Sequence, residues 1–464
     1  MDVGGTGVYQ SRFRYGTTLI GSSILFGILL LACSSASALP AFARKYGMPC
    51  SSCHEAWPKL SPFGQQFKDN GYQMGNDRDA PIFQSPAYWP ITFRITPQWH
   101  RESTDKAAVD PTTQHPNGEA QITTHGFDWS GLDFHTAGTL ANNVSFYVLP
   151  SSDNTGAFHF ESVWARLDNI AGNSWLNVKF GKFELDNLLS EKRILTLTST
   201  GGFYANYHFQ PMVAPGVGET SYGFGIGDNQ VGIEWMGHSK DDRTRVSASL
   251  LSSNDGTPGL PTSRGYDGFF AASQAFQLGS LGLQRVGGFA YIGQAPTYFQ
   301  YTAGGVGIPG TGIGNKGFQR YGLIGMWYIK KFDITTIYFR GRDDATLATT
   351  ATLNGTPPVT PAGAHSPTWN GGLFESHYNF SPQLILINRY ELVRMSQQVF
   401  STNPGNLGNV DTLTFGVRYY PFISSRAGFA YHGEYAISRI RGASPVTNTD
   451  LTSSSLLAGI DFDF

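Results

Sequence analysis

The chain has 464 residues, of which 56 are glycine, with 14% aromatic and 14% charged residues. This composition is typical of a protein rich in strands and turns, either a secreted β-protein or a membrane β-barrel. The formal net charge is -2 and the basic residues are scattered, so the sequence offers no surface for phosphates, which argues against a nucleic-acid partner.

Residues 1–38 predict a signal peptide that exports the protein. Arg12 and Arg14 supply positive charge, residues 19–32 form a largely apolar run, and the Ala-Ser-Ala sequence at residues 36–38 is a small-residue cleavage site before Leu39. We therefore expect the mature chain to begin at Leu39, outside the cytoplasm.

A second interpretation of the same leader is a lipoprotein processing site, with Cys33 acylated after Leu30-Leu31-Ala32. Both interpretations lead out of the cytoplasm. After the leader there is no further run of ~18 apolar residues, the length that a membrane-spanning helix requires. A membrane role for the mature chain would therefore have to use strands.

The sequence Cys50-Ser51-Ser52-Cys53-His54 has the spacing of a covalent haem c attachment site. Two thiols three positions apart can bond the two vinyl groups of one porphyrin, and the adjacent histidine can then ligate the iron. Two alternatives are a structural disulfide in an oxidising compartment and a thioredoxin-like redox pair. The second normally lies in a βαβ unit, which the flanking sequence does not predict. We expect Cys50 and Cys53 to be haem anchors and His54 the proximal iron ligand.

The residues after this motif predict a short helix. Ser61 is a good N-cap before Pro62, and Gly71 is a good terminator, so the helix should span the residues between them. Phe63 and Phe67 would then share a face that can cover a porphyrin.

The sixth iron ligand is predicted to be Met74, because residues 71–75 can fold back over the open face of the haem. A methionine ligand raises the haem potential relative to a histidine ligand. The alternatives are Met48, His100, His125 and His135.

From about residue 90 onward, apolar and polar residues alternate in short segments separated by Gly-rich turns. Examples are Val231, Ile233 and Trp235 against Gly232 and Glu234; Val246, Ala248 and Leu250 against Arg245, Ser247 and Ser249; Leu413, Phe415, Val417 and Tyr419 against Thr414, Gly416 and Arg418; and Leu176, Val178 and Phe180 against Asn177 and Lys179. Period-two patterning fits both a soluble sandwich and a barrel. The roughly 375 residues available accommodate about 16 strands of ~10 residues with their connections, which favours an antiparallel outer-membrane barrel.

The last residues of the sequence also predict a barrel strand. One face carries Leu456, Ala458, Ile460, Phe462 and Phe464, and the other Leu457, Gly459, Asp461 and Asp463. A final strand of this kind that ends in Phe resembles the assembly signal of outer-membrane barrels.

A haem motif followed by a barrel resembles the fused monohaem cytochrome-porins of the bacterial outer membrane, known from iron oxidisers. The residues that carry the resemblance are 41–54 (AFARKYGMPCSSCH) and 63–72 (FGQQFKDNGY), whereas the barrel matches in pattern only. The resemblance implies a division into signal peptide (1–38), a small helical cytochrome c plug (39–88) and a transmembrane barrel (89–464). It also implies that the haem is held within or at the mouth of the barrel.

The expected function is electron transfer through one covalent haem c, between an extracellular donor such as Fe(II) and a periplasmic acceptor such as a soluble c-type cytochrome. The sequence leaves open whether the protein acts as an Fe(II) oxidase. Two alternatives are a porin or structural barrel whose haem senses redox state or stabilises the plug, and a conduit that delivers electrons outward. The acids Glu234, Glu391, Asp461 and Asp463 should face the lumen, where charges usually form a solvated wall, so we assign them no iron-binding role.

Overall fold

A computed structural model describes most of the chain from residue 42 onward. The described residues are 42, 46, 48–49, 52–56, 59–72, 74, 91–108, 119–153, 155–185, 229–252, 266–296, 299–301, 307–309, 315–344, 366, 368–396, 409–423, 428–442 and 449–463. The leader with Cys33, the first motif cysteine Cys50, and Phe464 lie outside these residues. Within them, no helix has both the length and the apolar character needed to span a membrane.

Sixteen of the described strands close into one antiparallel barrel. They are β3 (Ile91–Ala108), β4 (Glu119–Ala141), β5 (Val144–Ser152), β6 (Phe158–Leu167), β7 (Asn177–Glu184), β8 (Asn229–His238), β9 (Thr244–Leu251), β10 (Asp267–Gln277), β11 (Leu283–Pro296), β14 (Asn315–Ile329), β15 (Phe332–Asp343), β16 (Thr368–Ser381), β17 (Leu384–Met395), β18 (Val410–Ile423), β19 (Gly428–Ile440) and β20 (Leu451–Asp463). Each strand pairs with its neighbour in this order, and β20 closes the barrel on β3 with Asp463 opposite Arg94. The predicted outer-membrane barrel fold is confirmed.

Short connections join the strands at one end of the barrel, which we call the turn end. They include residues 142–143, 168–176, 239–243, 278–282 and 330–331. Most of the longer connections lie at the opposite end, the loop end, where β12 (Phe299–Tyr301) and β13 (Gly307–Pro309) form a small hairpin. The strand β3 starts and β20 stops at the turn end.

The barrel wall is apolar outside and polar inside, the reverse of a soluble sandwich. On β18, Phe415, Val417 and Tyr419 point outward and are exposed, whereas Thr414 and Arg418 point inward and are buried. The same inversion holds on β7, β8, β9 and β20, so the alternation predicted from the sequence is confirmed in register. An apolar outer face is what contact with lipid requires.

We call the described residues between 42 and 74 the plug. They include the helix α1 (Pro62–Asp69), between the short hairpin β1 (His54–Ala56) and β2 (Lys59–Leu60) and a tight turn. Ser61 is the N-cap, and its hydroxyl accepts a hydrogen bond from the Gly64 N–H at 3.1 Å. The chain leaves the helix through Gly71, whose φ of +80° lies in the left-handed region that glycine adopts without strain. The helix therefore begins and ends where the sequence predicts.

Candidate functional site

The second half of the predicted haem motif is held by backbone contacts with the start of α1. The N–H of Ser52 donates to the Pro49 carbonyl at 2.9 Å, which closes a turn before Cys53. The Ser61 N–H donates to the Cys53 carbonyl at 2.9 Å, and the Ser61 hydroxyl donates to the Ser52 carbonyl at 3.1 Å. The helix N-cap therefore also fixes the backbone of the motif.

Helix α1 lies directly against the motif because residue 64 is glycine. A Cβ on Gly64 would lie 2.0 Å from the Cys53 carbonyl oxygen, far inside van der Waals contact. The close approach brings the half-buried Cys53 and His54 side chains beside the first turn of the helix, where Phe63 is exposed.

The state of Cys53 bears on the two alternatives to haem attachment. Cys53 is a free cysteine. Burial raises the pKa of its thiol to about 11. In redox-active pairs of the thioredoxin type the lowered pKa belongs to the attacking thiol, which in this motif would be Cys50, outside the described residues.

An aromatic cluster joins the plug to the inner face of the barrel wall. The ring of Tyr72 stacks on Phe42 at 5.0 Å and on Trp164 of β6 at 6.2 Å, measured between ring centroids. Phe67 packs edge-on against Phe42 and Tyr46 at 5.0 and 5.7 Å. Phe67 therefore lies in the plug's own aromatic core, which Tyr72 joins to the barrel, and of the two predicted haem-covering phenylalanines only Phe63 presents an exposed ring.

The C-terminal end of α1 meets two buried arginines of the wall. Arg166 of β6 donates from Nη2 to the carbonyls of Lys68 and Asp69, at 2.9 and 3.3 Å. Arg245 of β9 forms an ion pair with the Asp69 carboxylate at 3.1 Å. Both arginines lie beside the turn end, so this end of the plug lies inside the barrel at that mouth.

Sequence reasoning did not identify these two arginines as plug contacts. The alternation in β9 places Arg245 on the inner face, but no local signal pairs it with Asp69, which lies 176 positions earlier in the chain. Only the closure of the barrel brings the two together.

The comparisons with known proteins concern the barrel. No protein-family model and no curated protein matches the chain. The anion-selective porin from Comamonas acidovorans is 12% identical, with a TM-score of 0.51 over 81% of this chain and 98% of that porin. OmpT of Vibrio cholerae in its trimer form is 10% identical, with a TM-score of 0.46 over 81% and 98% of the two chains. The chain has the fold of an outer-membrane porin.

The four acids predicted to face the lumen of this porin-like barrel do face it. The prediction that they form a solvated wall is wrong for three of them, because those three side chains are buried. Glu234, Glu391 and Asp461 are each at most 2% exposed. Glu234 pairs with Lys179, and Glu391 pairs with Arg389 at 2.9 Å. Asp463 is half-buried, 3.9 Å from Arg94.

The lumen wall also contains a larger charged cluster. Arg389 lies 3.5 Å from Glu375 and 3.8 Å from Glu434, in addition to its contact with Glu391. Asp461 contacts Arg418 at 3.4 Å and His432 at 3.2 Å. Within the described part of the chain, no group of three or more His, Cys, Asp or Glu residues is arranged to hold a metal ion. We therefore describe these residues as ion pairs of the wall.

The alternatives for the sixth iron ligand occupy different environments. In the barrel wall, His135 shares a hydrogen bond of 2.9 Å with the Tyr147 hydroxyl, and His100 shares a short one with Asp128. His125 is exposed on β4.

Met74 is half-buried in the plug and packs against the aromatic cluster. Met48 is also half-buried, two residues before the motif. Of these side chains, the two methionines belong to the same segment as His54.

Proposed function

We propose that this protein is an exported c-type cytochrome of the bacterial outer membrane, in which a porin-like barrel holds a single covalent haem. The observation that carries the proposal is the Cys53-His54 pair, held against α1 in a plug that is attached to the inside of a closed barrel. A Cys-x-x-Cys-His sequence is the attachment pattern of haem c.

The residues present fit a haem. Cys53 is a free thiol and His54 follows it, with the backbone of both fixed by Ser61 and Gly64. Phe63 presents an exposed aromatic ring next to them, an apolar surface of the kind that covers a porphyrin. In this proposal Cys50 and Cys53 hold the group through thioethers, His54 ligates the iron, and Met74 supplies the sixth ligand. A bound haem supplies a one-electron redox centre.

A closed barrel can hold a polar, charged site of this kind at membrane depth. In lipid only a closed barrel or a helix satisfies every backbone polar group, and a lumen with polar walls accepts charged groups that the lipid face excludes. Outer-membrane barrels direct their short turns to the periplasm and their longer loops outward. The turn end would then be periplasmic, so the plug would lie within reach of a soluble periplasmic carrier, which we propose is a c-type cytochrome.

The proposed electron donor is Fe(II) at the extracellular side, from the resemblance to the cytochrome-porins of iron oxidisers. Keeping the oxidation outside is chemically favourable because ferric iron is insoluble near neutral pH. Adding Fe(II) to the purified, oxidised protein should convert the Soret and α bands to their reduced form. Absence of reduction at a useful rate would rule out Fe(II) as the donor. Reduction only at low potential, with reoxidation by ferric or mineral acceptors, would instead indicate an outward conduit.

The second candidate is a porin or structural barrel, and it is favoured by the barrel's likeness in fold to the Comamonas porin. In this candidate the haem would only sense redox state or stabilise the plug. An absorption spectrum of outer-membrane fractions with and without dithionite therefore tests for the haem, and uptake of small solutes by liposomes that contain the protein separates the two functions. The mass of the mature protein is a second readout. A mature chain at its apo mass, after expression in a host that matures c-type cytochromes, would leave only the porin candidate.

A further inference from the structure

The last turn of α1 is attached to the barrel wall by hydrogen bonds and an ion pair. The final carbonyls of a helix have no partners within it and carry the negative end of the helix dipole. The guanidinium of Arg166 donates hydrogen bonds to the carbonyls of Lys68 and Asp69, and its positive charge lies at the negative end of the helix dipole. The Nε of Arg166 donates at the same time to Asp168 at 2.5 Å, and the arginine is only 1% exposed. Its charge is therefore both buried and paired.

The second attachment is made by a side chain of the helix. One oxygen of the Asp69 carboxylate forms an ion pair with Arg245, 3.1 Å from its Nε, and the other accepts a hydrogen bond from Gln65 Nε2 at 2.7 Å. Arg245 is held in turn by Asp242, in the turn between β8 and β9, through a hydrogen bond of 2.9 Å. One helix end is therefore bonded to two strands, β6 and β9, that are separated by two others.

The chain that follows the helix packs on the same wall. A Cβ on Gly71 would lie 3.0 Å from the Asp168 carboxylate, so the backbone passes directly over the partner of Arg166. The next residue, Tyr72, has a φ of +61°, which is unfavourable for a residue with a side chain, and its ring is stacked between Phe42 and Trp164. Such a backbone persists when the surrounding contacts determine it.

We propose that Arg166 and Arg245 are positioning residues that anchor the plug in the barrel mouth and keep the lumen closed to ions. We call them the arginine anchor. Each arginine also has a carboxylate partner in the wall, Asp168 for Arg166 and Asp242 for Arg245, so withdrawing the plug would remove two hydrogen bonds from Arg166 and one ion pair from Arg245. Closure does not require haem, so this inference and the proposed function can fail independently.

The test is ion conductance of the mature protein, purified from outer membranes and inserted into planar lipid bilayers. The wild type should be almost silent. The Arg166→Ala and Arg245→Ala variants should raise the open-channel occupancy by on the order of 10-fold each, as expected for the loss of hydrogen bonds to a charged group. Arg320→Ala is the matched control, since Arg320 is a fully buried arginine that pairs with Asp343 and has no contact with the plug among its described partners. It should leave the channel silent.

Two further variants separate anchoring from general stability. Asp69→Asn alters only the plug and leaves every wall residue in place, and it should also open the channel. It therefore tests the proposal even if an arginine variant fails to assemble. Arg166→Lys keeps the positive charge but loses the separate guanidinium donors to Asp168 and to the two carbonyls, so it should restore only part of the closure. A wild type that conducts like an open porin, or assembled Arg166→Ala and Arg245→Ala variants that remain silent, would overturn the proposal. The same recordings on protein made without haem maturation test closure with no haem present.

Discussion

Gly64 and Cys53 are in direct contact through their backbones. The Cα of Gly64 approaches the Cys53 carbonyl so closely that a Cβ would lie 2.0 Å from the oxygen and 2.8 Å from the carbonyl carbon. That same carbonyl accepts the Ser61 N–H, so the obstacle would be rigid backbone on both sides. The geometry of the haem motif therefore depends on a residue that takes no part in haem chemistry.

Replacing Gly64 with alanine should displace the motif from the helix and lower the yield of covalently loaded protein. The added methyl group cannot be accommodated by rotating a side chain, because its nearest neighbours are backbone atoms. The measurement is the ratio of the Soret band to total protein in outer-membrane fractions. The control is Gly317→Ala in β14, where the nearest atom to a new Cβ is 4.0 Å away. Normal haem loading in Gly64→Ala would show that the motif tolerates the displacement.

Removing Arg389 should destabilise the barrel strongly. Its guanidinium lies among Glu375, Glu391 and Glu434, so Arg389→Ala leaves three carboxylates without their shared cation. We expect a loss of about 3–5 kcal/mol in the free energy of unfolding, as for other broken buried ion pairs. Urea-induced unfolding in detergent or lipid vesicles measures it.

The control for Arg389 is Arg439→Ala at the loop end. Arg439 is 62% exposed in its side chain and pairs with Asp450, an interaction worth ~0–1 kcal/mol at a surface. Equal losses for the two variants would mean that the Arg389 cluster is in contact with water.

An arginine on the outer face should be costly in proportion to its depth in the bilayer. Leu323 of β14 is 65% exposed and points outward in the middle of the strand. Leu323→Arg should cost about 2–4 kcal/mol, and Gln319→Arg, on the same face nearer the loop end, about 0–1 kcal/mol. Unfolding and refolding in lipid vesicles measures both. If the two costs were equal, the outer face would not be immersed in hydrocarbon at Leu323.

Replacing Met74 with alanine should shift the absorption spectrum and lower the redox potential of the haem if its sulfur is the sixth iron ligand. Loss of a thioether removes the ligand type that raises the potential. Met48→Ala is the matched control, because it removes another half-buried methionine of the same segment. A spectrum that stays unchanged in Met74→Ala but changes in Met48→Ala would assign the ligand to Met48.

Much of the architecture could be predicted because its signals are local. Period-two alternation in β7, β8, β9, β18 and β20 reports which side of each strand is apolar, and chain length restricts the number of strands. The helix limits follow from Ser61, Pro62 and Gly71, which act on their immediate neighbours. The alternation cannot by itself say whether the polar face meets open water or other protein groups, so the state of Glu234 and Glu391 was predicted wrongly.

The sequence by itself predicted a haem motif and determined the inward and outward faces of the strands, because spacing and alternation are properties of neighbouring residues. The tertiary structure decided which groups meet across the lumen: Asp69 with Arg245, the carbonyl of Lys68 with Arg166, and Tyr72 with Trp164. These partners are about 90 to 180 positions apart along the chain. Only the closure of the strands into a ring gives these partners fixed relative positions. The N-terminal segment is attached as a plug because the closed ring places its partners in the wall.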